Sequence, residues 1–183
     1  MDLALLTHLP ASCLAQDSKG NTPLHVAIES GRDRRFRLEI AETLVGFSTA
    51  LQLGAKNSAG RTALHSASSP CDAAVVNMLL QNKASPSKGK FLDAVDSNGR
   101  SALIATLPTT YSHPSRPADV RCAELLVKEG ADLTLKTKGV KGETAYRLAK
   151  RWKQDRLAAL LERGESAEDE KKVRAARRRP VKK

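Results

Sequence analysis

The chain has 183 residues, 40% of them hydrophobic, 28% charged and only 3% aromatic, with a formal charge of +11. So few rings leave the core to Leu, Val, Ile and Ala, which suits stacked helices better than a β-sandwich. No stretch approaches the roughly 18–20 apolar residues of a membrane span, so an integral membrane protein is not expected.

In chain order, Met1–Leu9 has neither a basic start nor a long apolar run and does not read as a secretory signal. Asp17-Ser18-Lys19-Gly20-Asn21-Thr22-Pro23-Leu24-His25-Val26-Ala27 opens a unit that returns as Asn57-Ser58-Ala59-Gly60-Arg61-Thr62-Ala63-Leu64-His65-Ser66-Ala67. It returns again as Asp96-Ser97-Asn98-Gly99-Arg100-Ser101-Ala102-Leu103-Ile104-Ala105, and in weaker form as Gly142-Glu143-Thr144-Ala145-Tyr146-Arg147-Leu148-Ala149. Gly20, Gly60 and Gly99 permit the positive φ that turns the chain into a helix. Thr22, Thr62 and Ser101 are N-caps, and Pro23 fits a first turn where no donor is required. The Leu–Ala spacing then gives each helix one face to bury. A second apolar pattern follows in Glu39–Val45, Ala74–Leu80, Arg121–Val127 and 156–161.

Four registered copies of this kind resemble the ankyrin repeat, over roughly residues 2–164. The resemblance implies an all-α ankyrin solenoid of helix-turn-helix units with projecting β-hairpin loops, the fingers. Residues 1–164 form the repeat domain and 165–183 a mobile, acidic-then-basic tail. Asp2–Leu6 aligns with the second helix of a unit, so the chain begins in mid-repeat, as either a natural cap or a longer array cut short. The motif position advances from Leu24 to Leu64, Leu103 and Tyr146, steps of 40, 39 and 43 residues, against a family period of about 33. Alignment puts the extra residues between the helices at Arg32–Leu38 and Leu107–Ala118, in a finger at Ser85–Leu92, and in a turn at Lys138–Lys141. Arg156–Arg163 reads as the last outer helix, with Gly164 as its stop.

Chemistry-bearing residues have structural readings. His25 and His65 sit at the family's structural histidine, where the resemblance implies hydrogen bonds between neighbouring repeats; Ile104 and Arg147 replace it, so the tie weakens there. His8 and His113 have no partner at ligand spacing. Cys13, Cys71 and Cys122 are odd in number and widely spaced, without the CxxC spacing of a zinc or redox site. They point to a reducing compartment, cytoplasm or nucleus, with Cys122 and Cys13 as buried inert thiols and Cys71 exposed in an interhelical turn. No phosphate-binding loop, catalytic triad, metal site or cofactor is expected, and no small-molecule substrate.

The expected function is a non-enzymatic protein–protein interaction module, a scaffold or adaptor, whose partner lies on the concave face. The expected contacts are the finger tips Lys19, Asn57, Ser58 and Asn98, the turn residues Asn21, Arg61 and Arg100, and the exposed first-helix positions Glu29 and Ser68. An acidic protein partner suits the basic body. The alternatives are an RNA- or ribosome-associated protein and an accessory domain of a larger enzyme or channel. Arg34, Arg35 and Arg37, in a charged run around Phe36, are candidates for gripping phosphate. Arg177, Arg178, Arg179, Lys182 and Lys183 resemble a nuclear-localisation or nucleic-acid-binding segment. They lie in Lys171–Lys183, which holds eight basic and no acidic side chains.

Overall fold

Each glycine turn delivers the chain into a short helix, and the alternation of short inner and longer outer helices builds the molecule. The computed structural model describes residues 15–30, 34–46, 50–82, 88–107, 120–138 and 142–164. In order, the helices are α1 (Pro23–Glu29), α2 (Arg34–Gly46), α3 (Ala50–Leu53), α4 (Ala63–Ser68), α5 (Ala73–Gln81), α6 (Lys88–Leu92), α7 (Ala102–Ala105), α8 (Val120–Lys128) and α9 (Ala145–Arg151). A last helical run, α10, covers 155–164. The inner helix α1 packs on α4 and α4 on α7, while the outer helix α2 packs on α5 and α5 on α8. This is the stacking of an all-α solenoid, in which each repeat meets only its neighbours.

The core lies between the two rows. The motif leucines Leu24, Leu64 and Leu103 are buried from the inner row, and Val45, Val76, Leu79, Leu126 and Leu161 from the outer one. Each buried leucine is worth about 1.5–3 kcal/mol relative to exposure. The glycine turns place backbone against backbone. Gly60 has φ +72°, and a Cβ there would lie 2.8 Å from the Ser97 nitrogen; at Gly99, also φ +72°, it would lie 2.6 Å from that of Lys138. Only glycine lets the fingers approach so closely.

Several expectations are corrected. The extra residues of the first unit mostly extend the outer helix, since α2 begins at Arg34. Those of the second unit include a helical turn, α6, which sinks Phe91 and Leu92 into the core. Among the described residues the fingers contain no strand; the single β-type pairing is an antiparallel bridge between Val95 and Ser101. His8, Cys13, most of the Leu107–Ala118 insert with His113, and the 165–183 tail lie outside the described residues.

The cysteines require the largest correction. Cys71 and Cys122 are not separate thiols but a disulfide, with Cα atoms 5.6 Å apart and a sequence separation of 51. Cys71 occupies the turn after α4 with φ +52°, half-buried, and Cys122 is fully buried in α8. Stacking brings the turn of one repeat against the outer helix of the next, a proximity that spacing along the chain does not encode.

Candidate functional site

The finger turns are built from one hydrogen-bond pattern used repeatedly. The side chain of the first turn residue accepts backbone N–H groups from within its own turn. Asp17 Oδ1 takes those of Lys19 and Asn21 at 2.8 Å each, and Asn57 Oδ1 those of Ala59 and Arg61 at 3.0 Å each. Asp96 Oδ1 takes those of Asn98 and Arg100 at 2.8 and 2.9 Å, and Thr137 Oγ1 that of Glu143 at 3.1 Å. The bond from the Asn21 N–H favours the ionised form of Asp17 and holds its carboxyl below the usual range.

Successive turns are then joined to one another. The Ser58 N–H donates to the Lys19 carbonyl (3.0 Å), that of Ser97 to Ala59 (3.0 Å) and that of Lys138 to Asn98 (2.7 Å). Side chains add to this ladder, with Lys56 Nζ donating to the Val95 carbonyl at 2.8 Å and Asn57 Nδ2 to Asn21 Oδ1 at 2.9 Å. The Ser97 hydroxyl also donates to the Ala59 carbonyl.

Behind the ladder, two imidazoles tie neighbouring repeats. His25 Nδ1 accepts the Thr22 N–H at 3.3 Å and lies 2.8 Å from Thr22 Oγ1. That leaves the proton on Nε2, which donates to the Arg61 carbonyl at 2.9 Å. His65 repeats the arrangement with Thr62 and the Arg100 carbonyl, also at 2.9 Å. Burial lowers the pKa of both rings, which keeps them in the neutral tautomer the bonds require. In the third and fourth repeats, where Ile104 and Arg147 stand in the histidine position, the cap hydroxyl alone serves the helix. Ser101 Oγ accepts the Ile104 N–H at 3.3 Å and Thr144 Oγ1 that of Arg147 at 3.4 Å.

Lys19, Ser58 and Asn98 are exposed on this ladder, and Asn21 and Asn57 are partly buried within it. The side chains of Arg61 and Arg100 lie back along the inner helices. Their Nη2 atoms donate to the His65 carbonyl at 3.5 Å and the Ile104 carbonyl at 3.2 Å. Arg100 is half-buried and its pKa is lowered, first by burial and then by the like charge of Arg61, against the opposing pull of Asp96. Glu29 is exposed and accepts the Ser66 hydroxyl at 2.7 Å. Ser68 is corrected: it is fully buried. Counted from the N-cap, Ser68 matches the buried Ile28, and the exposed counterpart of Glu29 is Ser69.

Arg37 is corrected as well. It pairs with Asp72 at 3.6 Å and donates to the Ile28 carbonyl at 3.4 Å, so it joins the first repeat to the turn of the second. Arg35 is exposed. The side chain of Arg34 and residues Arg177, Arg178, Arg179, Lys182 and Lys183 lie outside the described residues. Lys56 and Lys138 belong to the ladder but were not singled out from sequence; the alignment of Lys138 with Ser58 and Ser97 was the available signal. Beside α1, a groove of about 730 Å³ is lined by Pro23, Val26, Ala27, Ile40 and Leu44, with Asp17 and Asn21 at its polar side. Val26 in this groove is 49% exposed.

Among the described residues no group of three His, Cys, Asp or Glu side chains is placed to hold a metal ion, and no helix is long and apolar enough to cross a membrane. No curated protein matches the chain. Residues 3–90 match the family model for ankyrin repeats, described as three copies, and the repeating turns, helix pairs and imidazole ties continue or lapse in register beyond that segment. Residues 3–90 of the chain are ankyrin repeats.

Proposed function

We propose that the protein is a non-enzymatic interaction module that holds a protein partner against its finger turns and inner helices. Ankyrin repeats generally mediate protein–protein interaction. The observation that carries the reading here is the ladder itself. Three backbone bonds between successive turns fix Lys19, Ser58, Asn98 and Lys138 relative to one another before any partner arrives. A surface ordered in advance loses little conformational entropy on binding. The exposed Val26 and the apolar groove beside it supply area that association would remove from water.

Arg61 and Arg100 are proposed as contacts within this face, each with a guanidinium that uses one N–H on a helix carbonyl and keeps others for a partner. Replacing both by glutamate is expected to reduce partner capture from native extract at least about tenfold, equivalent to about 1.4 kcal/mol, with a melting temperature within a few degrees of the parent. Unchanged capture by a folded double variant overturns the assignment of this face.

A second reading rests on the eight basic side chains of Lys171–Lys183. If these bind RNA, association weakens steeply as salt rises, because every neutralised phosphate releases a counterion. A protein complex on the ladder loses far less over the same range, and deletion of Lys171–Lys183 leaves it intact.

A further inference from the structure

The turn between α4 and α5 is fastened on both sides. Toward the first repeat, Asp72 meets Arg37 at 3.6 Å. Toward the third, Cys71 is bonded to Cys122 in α8. The turn is also continuous with the inner helix: the Cys71 N–H donates to the Ser68 carbonyl at 3.1 Å and that of Asp72 to the Ala67 carbonyl at 3.0 Å. Polar atoms lie buried here without a hydrogen-bond partner, namely Arg37 Nε and Ser68 Oγ.

The two sulfurs differ in surroundings. Cys71 is half-buried in a turn, and Cys122 is wholly buried in a helix. An attacking thiolate thus approaches from the Cys71 side. The bond joins positions 51 apart in sequence and closes a segment that contains the whole of α7 and the third finger, so opening it changes what the unfolded chain can sample as well as what joins two folded repeats.

We propose that Cys71 and Cys122 form a reversible thiol–disulfide site, a clasp that a small dithiol opens and an oxidant closes, and that it sets how firmly the second and third repeats are joined. In the opening reaction a reductant thiolate, its proton given to solvent, attacks Cys71 Sγ. The Sγ–Sγ bond breaks and Cys122 leaves as the thiolate, which takes the proton of the reductant's second thiol. That second sulfur then displaces Cys71 from the mixed disulfide, and Cys71 regains a proton from solvent. Two electrons pass to the protein, the reductant ends as its own disulfide, and the protein carries two thiols. The finger edge of the junction, with the His65–Arg100 and Ser97–Ala59 bonds, remains to hold the repeats in place, so the open form is folded but less rigid.

The test uses the full chain, treated with oxidant or with dithiothreitol without denaturant. Differential alkylation and peptide mapping are expected to find Cys71 and Cys122 protected together after oxidation and labelled together after reduction, with Cys13→Ala leaving both results unchanged. Reduction is expected to lower the melting temperature by about 5–10 °C, reversibly. Cys71→Ser is expected to melt like the reduced chain in either condition. Three results would overturn the proposal: free labelling of both thiols in the oxidised folded chain, melting temperatures in the two states within about 1 °C, or a bond that opens only in denaturant. The last would make the bridge a fixed staple.

Discussion

The junction between the second and third repeats and the junction between the third and fourth share one finger bond and differ in almost everything behind it. At the former, the Ser97–Ala59 bond is backed by the His65 imidazole on the Arg100 carbonyl and, at the opposite edge, by the Cys71–Cys122 bridge. At the latter, the Lys138–Asn98 bond stands in front of Ile104, which is buried but has no polar atom to extend to the next turn. The difference separates two roles that a repeat motif usually merges. The glycine turn sets the register of the stack, while the histidine determines how much a slip in that register costs.

Gly99→Ala probes the junction that has the least in reserve. The new methyl must occupy a left-handed residue within 2.6 Å of the Lys138 nitrogen, at a cost of about 3 kcal/mol from backbone strain and contact together. Hydrogen exchange should then show 142–164 opening independently of the rest. Gly60→Ala, strained in the same way, should leave its neighbours joined, because His65 and the disulfide still hold.

Copying the third repeat into the second gives the next largest effect. His65→Ile keeps an apolar side chain in the buried space but leaves the Arg100 carbonyl without its imidazole donor. A loss of about 2 kcal/mol is expected in denaturant unfolding, with Thr62 capping its helix directly, as Ser101 does. A change below about 0.5 kcal/mol would mean that the imidazole is not a tie.

Acid should act on the histidine-tied half alone. The unfolded chain binds protons on His25 and His65 near the usual 6.5, whereas burial lowers both values in the folded chain. Their contribution is therefore complete above about pH 6.5 and is lost as pH falls through the folded values. The melting temperature should decline on acidification from pH 7 to 5, and the decline should shrink in the His65→Ile chain. The smallest effect expected is a gain. Ile104→His places an imidazole where the Glu143 carbonyl, already an acceptor for the Thr137 N–H at 3.1 Å, is the counterpart of those of Arg61 and Arg100. About 0.5–1 kcal/mol of added stability is expected, read from the unfolding of the C-terminal repeat.

The parts of this architecture legible in the sequence were those fixed by local chemistry. A glycine followed by a hydroxyl residue, an apolar residue and histidine specifies a turn, a cap and a tie within nine residues, and both imidazoles stand where the motif implied. The disulfide was not legible, since Cys71 and Cys122 occupy different positions in their repeats and meet only when stacking sets a turn against a helix. Ser68 was misassigned for a smaller reason: an error of one residue on a helix turns a side chain by roughly 100°, enough to exchange the groove for the core. The roles of Arg61 and Arg100 were half legible. Their place in the turns follows from the motif, but the return of each guanidinium to a carbonyl four residues later depends on side-chain paths.

The finger ladder also bears on how the molecule would respond to a pull from its two ends. Each rung joins only neighbouring turns, through a backbone bond that side chains reinforce at some rungs, so tension meets the rungs in sequence rather than all at once, as in a zipper. The Lys138–Asn98 rung lacks both an imidazole and a sulfur bridge behind it and would yield at the lowest force. The middle of the array would extend last, and only after its covalent clasp had been opened. The protein is in this sense a spring of graded stiffness, compliant toward its C-terminal repeat and stiffest between the second and third.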